Sequence, residues 1–298
     1  MATVTSPGLV LASNQAIIEA QRAIAFAKLF ATDFSADLQN IGKTVAVPVF
    51  SGDATVFNET SNNYETTDGS IIPVNVSLDT LVKVTFKLSQ NDLLELDRSS
   101  TSRNCGIAGG RAIARKIEDI ILGKLTYSGR LAAATGFTVA KLGKAIATAE
   151  KNGLDPATIV AILTPEAYGD LLDANTANAA ITGDDIAGAL GRKYGIKAIV
   201  SSSAVSTADS SSTTKGAGFL VPDAAVAIAG RGIAEAVDGM YSEYTTTSDE
   251  GSGLAVTAFV HGASATNSRY MNVAALLGAK LTRTETNKAP GFIQLVTA

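Results

Sequence analysis

The sequence is poor in the residue types that most enzyme active sites and metal centres use. Its 298 residues include no tryptophan, one cysteine (Cys105) and one histidine (His261). A lone cysteine cannot form a disulfide within the chain, and ordinary zinc sites take three or four cysteine or histidine ligands. The composition therefore predicts neither a disulfide nor a zinc site, and it predicts a fold that packing holds together.

Aromatic residues and clusters of basic residues are also scarce. Aromatics make up 6% of the chain, which disfavours a deep ligand pocket walled by rings. The 24 lysines and arginines are scattered and the formal net charge is -4, so the basic patch that tight nucleic-acid recognition needs is missing. The apolar run Leu9–Ala12 is far shorter than a membrane span or a signal-peptide core. We therefore expect synthesis without export and no membrane segment.

Apolar residues, in contrast, make up 46% of the chain, enough for one large core or two modest ones. Residues 13–31 predict an amphipathic helix, because apolar side chains recur there at helical spacing. These side chains are Ile17, Ala20, Ile24 and Ala27. We expect this helix to act as a docking arm.

Residues 42–80 predict a long, polar, two-stranded arm. Thr44–Phe50 has the composition of a strand, in which Pro48 indicates an edge position, and Ile71–Val76 predicts the returning strand. The residues between them are polar and turn-forming, and their sizeable apolar side chains are Val56, Phe57 and Tyr64. Such a segment is too polar and too long to pack within its own subunit, so we expect it to contact another one.

The next stretch predicts one strand and two helices. Residues 82–88 alternate apolar and polar side chains, which is the clearest strand pattern in the sequence. Ser89-Gln-Asn-Asp92 then predicts a capped short helix over 89–96. A longer helix follows, with Arg111 and Arg115 among the residues on its polar faces. Its buried stripe consists of Ile113, Ile117, Ile120, Ile121 and Leu125.

The second half of the chain alternates helix and strand signals, which indicates an α/β region. Predicted helices cover 138–151, begin at Thr164-Pro165-Glu166, and cover 184–194. Predicted strands cover 158–163, 196–201, 219–221 and 225–229, with a solvated Ser/Thr-rich loop at 202–214. Further strands are predicted at 254–260 and 273–281, and we expect the end of the chain to pair with an earlier element.

This order of elements resembles the tailed-bacteriophage major capsid proteins that share the Hong Kong 97 fold. The resemblance is sharpest at Val82-Lys-Val-Thr-Phe-Lys-Leu-Ser-Gln-Asn-Asp-Leu-Leu94, followed by Ile117-Glu-Asp-Ile-Ile-Leu-Gly123. In that family a strand leads into a short capped helix, and a long spine helix ends in a carboxylate, an apolar pair and a glycine. The resemblance covers nearly the whole chain in the order of its elements.

The resemblance implies an α+β fold with five regions. These are an N-terminal arm and helix (1–41), an extended β-hairpin loop (42–80), a peripheral domain with the spine helix at 102–128 (81–134), an axial α/β domain (135–255), and a return to the peripheral domain (256–298). Val56, Phe57 and Tyr64 would then touch a neighbouring subunit across the extended loop. Arg111 and Arg115 would lie at a spine-helix interface or face DNA.

The function implied by the resemblance is structural. The chain would form hexamers and pentamers of an icosahedral virus shell around double-stranded DNA, bound without sequence specificity. It would assemble in the host cytoplasm and remain in the virion. A portal would be another partner. Because residues 1–13 leave no room for a built-in scaffolding segment, the resemblance implies a separate scaffolding protein or none. The alternatives are the shell of a bacterial encapsulin-like nanocompartment and an α/β enzyme with an inserted hairpin.

Three features could in principle indicate an enzyme or a nucleotide site, and each has a simpler interpretation. His261 is the one residue able to serve as the base of a Ser-His-Asp triad, but it sits at a predicted strand end with no Gly-x-Ser-x-Gly motif nearby. Cys105, just before a predicted helix, is more typical of a small packing residue than of a nucleophile. The glycines at 106, 109 and 110 do not form Gly-x-Gly-x-x-Gly and indicate flexibility or close packing.

Asp184-Asp185 is the remaining candidate, as a metal site. One carboxylate pair supplies too few oxygens for a hard cation, and a pair directly after Gly183 suits the positive end of a helix dipole. We therefore predict no catalytic, cofactor or metal site.

Overall fold

The computed structural model describes fourteen stretches of the chain. These are residues 7–29, 31–33, 44–51, 70–88, 98–125, 132–135, 138–176, 191–205, 216–223, 225–233, 243–248, 254–263, 268–282 and 292–297. The predicted short helix at 89–96, most of the predicted helix at 184–194 and most of the loop at 202–214 lie outside them.

Two of the four longer described helices begin with a proline. The four helices are α1 (Pro7–Ala27), α2 (Arg98–Leu122), α3 (Leu142–Lys151) and α4 (Pro165–Thr176). Proline suits the first helical position, because its fixed φ is already helical and its missing N–H would have no partner there. At the start of α4 the Ala167 N–H donates to Thr164 Oγ1 at 3.3 Å, which caps the helix as predicted.

The described strands form two sheets and a separate hairpin. The large sheet contains β1 (Ala31–Asp33), β4 (Thr80–Leu88), β9 (Val226–Arg231), β10 (Glu243–Ser248), β11 (Ala255–Ala263) and β12 (Ser268–Leu281). The small sheet contains β5 (Ala132–Thr135), β6 (Val160–Leu163), β7 (Ala198–Ser201), β8 (Gly216–Val221) and β13 (Ile293–Val296). The hairpin consists of β2 (Thr44–Ser51) and β3 (Ser70–Ser77).

Strand β12 organises the large sheet. It pairs antiparallel with β4, with β11 and with β9 along different parts of its length, while β10 extends the sheet beyond β11 and β1 lies parallel to β9. In the small sheet, β13 pairs parallel with β5 and antiparallel with β8, and β6 joins β8 to β7. Every residue of β6, β8 and β13 is buried, which explains why these strands do not alternate between a buried apolar face and an exposed polar one.

One apolar core runs across both sheets, and α2 supplies its central stripe. Ile113, Ile117, Ile121 and Leu125 are buried there and Ile120 packs against them, so the predicted stripe is confirmed. The same core takes Val160 and Phe219 from the small sheet and Val226 and Val273 from the large one. A second core lies under α3 and α4 and contains Leu142, Ile146, Leu163 and Leu171. The sheets are therefore joined by shared packing.

Two predicted helix bounds were wrong. The first helix is Pro7–Ala27 rather than 13–31, because the chain turns at residues 28–29 and then forms β1. The long helix is Arg98–Leu122 rather than 102–128, because a turn follows in which the Lys124 and Leu125 N–H groups donate to the carbonyls of Ile121 and Leu122. Such bonds satisfy carbonyls at the helix end that would otherwise lack a partner.

The two sheets do not coincide with the regions predicted along the sequence, because each sheet takes strands from distant parts of the chain. Strands β9 and β10 fall in the stretch 135–255 but belong to the large sheet, whereas β13 falls in 256–298 but belongs to the small one. The expected pairing of the chain's end with earlier elements is confirmed. Strand β12 pairs with β4 in the large sheet, and β13 pairs with β8 in the small one. The five-region division itself stays a prediction.

Candidate functional site

The residues predicted to touch a neighbouring subunit through the extended loop lie outside the described residues. Val56, Phe57 and Tyr64 all fall between β2 and β3. The two strands that lead into and out of this segment are described, and they pair without interruption from Thr44 opposite Ser77 to Ser51 opposite Ser70. The predicted two-stranded arm is thereby confirmed for its base.

A proline pair limits what the hairpin edges can bind. Pro48 on β2 stands directly opposite Pro73 on β3. Neither proline nitrogen can donate a hydrogen bond. The ladder between β2 and β3 therefore keeps all of its hydrogen bonds only if both nitrogens point away from the partner strand. Each outer edge then lacks a donor at that position, which opposes the addition of a further strand.

The base of the hairpin packs on its own subunit, which corrects the expectation that the whole arm must find its core elsewhere. Val47, Val74, Val76 and Leu78 are buried against Ala227 and Ala229 of β9, and Leu276 of β12 packs against the same group. The backbone contact is also close, because a Cβ built at Gly278 would lie 2.9 Å from the Ser77 carbonyl carbon. The arm therefore starts from a fixed anchor.

The N-terminal helix α1 also docks within the subunit, on α2. A small residue recurs at every fourth position of both helices along their contact, namely Gly8, Ala12 and Ala16 on α1 and Ser102, Gly106 and Gly110 on α2. A Cβ built at Gly106 would lie 2.8 Å from Ala12 Cα, and one at Gly110 would lie 2.7 Å from Ala16 Cα. Such a pattern lets two helix backbones approach closely. Of the two interpretations of these glycines, close packing is confirmed.

The two arginines predicted for an interface or for DNA lie on α2. Arg111 Nε is 3.2 Å from Glu19 Oε2 of α1, with 61% of the Arg111 side chain exposed, so it bridges the two helices within one subunit. Arg115 is exposed on the next turn. An ion pair this exposed adds little stability, which leaves the interface role of both residues a prediction.

Glu118 of α2 faces the small sheet. Burial raises the pKa of its carboxyl group, while a hydrogen bond with the Ser202 side chain lowers it in part. Ser202 is buried directly after β7, and its N–H donates to the Leu163 carbonyl at 3.1 Å. Glu118 thus links the long helix to the end of β7, a contact that its polar-face position in the sequence did not indicate.

His261 lies inside β11, opposite Tyr270 of β12, rather than at a strand end as predicted. Its ring stacks on Tyr270 with ring centroids 5.1 Å apart, and its Nδ1 is 2.9 Å from Asn272 Nδ2. The Asn272 side-chain oxygen in turn accepts from Thr85 Oγ1 at 2.7 Å. These contacts cross-link three strands of the large sheet, and none of them activates a serine.

Cys105 lies within α2, which begins earlier than predicted, and not before a helix. Its side chain is buried with Leu9, Ala12, Val260 and Met271. Burial raises the pKa of the thiol, which keeps it protonated and unreactive at neutral pH. Packing is therefore its role in the described structure.

Asp184-Asp185 lies outside the described residues, and within them no three His, Cys, Asp or Glu side chains gather in a way that could hold a metal ion. None of the described helices has the length and apolar content that crossing a bilayer requires.

A cavity of about 490 Å³ lies beside α4 and the small sheet. Alanines line much of it, with Asp170 and Tyr194 as its titratable side chains. A hydrolytic or acid–base site needs a nucleophile or a base held by a second polar group. The residues that line this cavity supply neither a nucleophile nor a base held by a second polar group.

The described architecture was compared with known proteins. No protein-family model and no curated protein matches the sequence. Solved structures do match: the capsid of Ralstonia phage GP4 has a TM-score of 0.58 at 12% identity, covering 87% of this chain and 84% of that one. The cyanophage A-1(L) capsid has a TM-score of 0.58 at 11% identity, covering 92% of both chains. The capsid of cyanophage P-SCSP1u has a TM-score of 0.53 at 16% identity, covering 92% and 88%.

These matches assign the chain to a class of folds. The chain is a mixed helix-and-sheet protein with the fold of tailed-phage capsid proteins, along almost its entire length. The resemblance inferred from the sequence to the tailed-phage major capsid proteins is thereby confirmed at the level of the fold.

Proposed function

We propose that this chain is a structural, non-enzymatic subunit of a virus shell and resides in the virion. The observation that carries the proposal is the shared fold, which extends over 84–92% of the phage capsid chains it matches.

In the finer form of the proposal, the chain assembles into hexamers and pentamers that enclose double-stranded DNA. A separate scaffolding protein and a portal take part, and assembly occurs in the host cytoplasm. The net charge of -4 supports an enclosing role, because a strongly basic wall would bind each phosphate it met while DNA was being packed.

The hairpin provides a mechanism for assembly. Its base is fixed on β9, and Val56, Phe57 and Tyr64 follow beyond the last described pair, Ser51 with Ser70. We propose that these apolar residues contact the next subunit. Many such contacts, each weak, add up over a closed symmetric shell, because every copy makes the same contact with its neighbour.

Electron microscopy of the expressed chain, alone and with the products of neighbouring genes, tests the proposal. Uniform closed particles, rings of six or sheets support it, and a monodisperse monomer with turnover overturns it. Protein cargo in place of DNA in purified particles would favour the nanocompartment alternative.

A loop replacement tests the role of the arm. Since Ser51 and Ser70 are a register pair, residues 52–69 can be replaced by Asn-Gly, which closes a two-residue hairpin without altering the described strands. We expect a folded, soluble subunit that forms no particles. Normal assembly of this variant would refute the assignment of the arm.

A second variant keeps the loop length. Val56, Phe57 and Tyr64 are changed together to serine, and the matched control changes Asn62, Asn63 and Thr66 to serine in the same segment. The first set should reduce particle yield and the control should not. Equal yields would show that these apolar side chains do not carry the contact.

A further inference from the structure

The two sheets of the subunit meet where the chain passes from β8 to β9. Asp223 lies in that connection, and β1, which follows the end of α1, pairs with the first residues of β9 directly after it. Strand β1 is only three residues long, so its pairing with β9 provides few bonds to hold the end of α1 in place.

Lys197 connects these segments. Its Nζ donates to the Leu29 carbonyl at 2.9 Å and to Asp223 Oδ1 at 2.6 Å. Its own backbone belongs to the small sheet, since the Lys197 N–H donates to the Ile159 carbonyl at 2.9 Å immediately before β7. One side chain therefore ties the small sheet to the end of α1 and to the crossing between the sheets.

The chemistry of the contact suits a cation. Leu29 is two residues beyond the end of α1, whose last turn contains no basic residue. The Leu29 carbonyl lies just past the negative end of the α1 dipole, where a lysine supplied from elsewhere is favourable. The carboxylate of Asp223 contacts the same ammonium group.

We propose that Lys197 is a positioning residue that clamps the end of α1 and the β8–β9 connection to the small sheet. The side chains of Lys197 and Asp223 are 34% and 45% exposed. Exposed pairs contribute little to overall stability, so the clamp sets a local geometry rather than holding the fold together.

The consequence for assembly rests on the proposed function. A closed shell requires nearly the same subunit shape in every equivalent position. Loosening the junction that Lys197 makes should therefore widen the distribution of particle diameters while leaving the subunit folded.

Hydrogen exchange on the unassembled subunit tests the clamp directly. In Lys197→Met, the amides of residues 28–33 should exchange about three- to tenfold faster than in the wild type, because both bonds of the ammonium group are lost. Lys197→Arg keeps the charge and should restore most of the protection. Lys144→Met, at an exposed lysine of α3, is the matched control and should change nothing at 28–33.

Two further measurements decide the proposal. Asp223→Asn should accelerate exchange in the same segment, and combining it with Lys197→Met should add little, since both act on one pair. Unchanged exchange at 28–33 in Lys197→Met overturns the clamp. Faster exchange with an unchanged particle-diameter distribution overturns the role of the clamp in assembly. If the wild type forms no particles at all, the shell function fails while the exchange data still decide the clamp.

Discussion

Gly106 and Ala12 bring two helices into backbone contact, since a Cβ at position 106 would lie 2.8 Å from Ala12 Cα and closer still to the Ala12 carbonyl oxygen. The N-terminal helix α1 thus packs directly on the backbone of the long helix α2, because Gly106 has no side chain to hold the two helices apart. The same relationship recurs one turn later between Gly110 and Ala16.

The first prediction concerns this contact. Alanine normally stabilises an exposed helix interior relative to glycine by about 0.5–1 kcal/mol. Gly106→Ala should instead lower the free energy of unfolding by about 1–3 kcal/mol, because the added methyl group forces α1 away from α2. Denaturant unfolding measures the difference.

Gly143→Ala is the matched control. Gly143 lies in α3, and a Cβ built there meets no heavy atom within 4 Å. This variant should gain about 0.5–1 kcal/mol. A similar gain in Gly106→Ala would contradict the close contact between the helices.

The second prediction concerns the anchor of the hairpin. A Cβ at Gly278 of β12 would clash with the Ser77 carbonyl, so Gly278→Ala should displace the base of β3 and increase proteolysis near Leu78. Gly262→Ala on β11, where a Cβ meets nothing within 4 Å, should leave the digestion pattern unchanged. Equal resistance of both variants would mean that the hairpin base is not held where the structure has it.

The third prediction uses Cys105 as a reporter of the docking of α1. Burial raises the pKa of its thiol, and Leu9 and Ala12 of α1 cover it. Labelling by a thiol-specific disulfide reagent at pH 8 should be slow in the native protein and fast in denaturant. Labelling of Gly106→Ala should be faster than that of the wild type, because α1 is displaced. Rapid labelling of the native wild type would show that α1 does not cover this site.

The fourth prediction is a pH dependence at Glu118. Burial raises the pKa of this carboxyl in the folded state above its unfolded value, so its contribution to stability is fully present below the unfolded pKa and is lost as the pH rises through the folded pKa. Glu118→Gln should therefore be slightly more stable than the wild type at pH 7, by less than about 1 kcal/mol because the group is partly exposed. The difference should shrink as the pH falls below the unfolded pKa.

Glu118→Ala is the comparison for this variant. Glutamine keeps an oxygen that can accept from Ser202, whereas alanine removes it and leaves the buried Ser202 hydroxyl without that partner. Alanine should therefore be less stable than glutamine at every pH. A stability difference between glutamine and the wild type that is constant from pH 4 to pH 8 would contradict a raised pKa.

The sequence predicted the elements well where one local pattern decided them. The alternation in residues 82–88 and the apolar stripe from Ile113 to Leu125 both correspond to observed elements, because side-chain periodicity follows directly from strand and helix geometry. Element ends were less predictable: the turn after Ala27 and the pairing of β1 with β9 depend on residues almost 200 positions away.

The candidate site was predicted in part. The two strands of the arm and the packing role of the glycines near 106 were correct, whereas the anchoring of the arm on β9 was not foreseen. In the sequence, Val74 and Val76 have the pattern of ordinary strand residues. They pack on Ala227 and Ala229, and nothing in the sequence around these small alanines indicates that they form a contact surface.

By itself the amino-acid sequence determined the helices and strands that carry a clear local periodicity, and the order of those elements was enough to indicate the capsid fold. Only the tertiary structure decided that the hairpin of residues 42–80 is rooted in its own subunit, that β13 joins the small sheet, and that Lys197 links the sheets to the end of α1. The physical reason is the range of the interactions: periodicity is local, whereas strand pairing, backbone contact at glycine and a shared ammonium group depend on residues that only folding brings together.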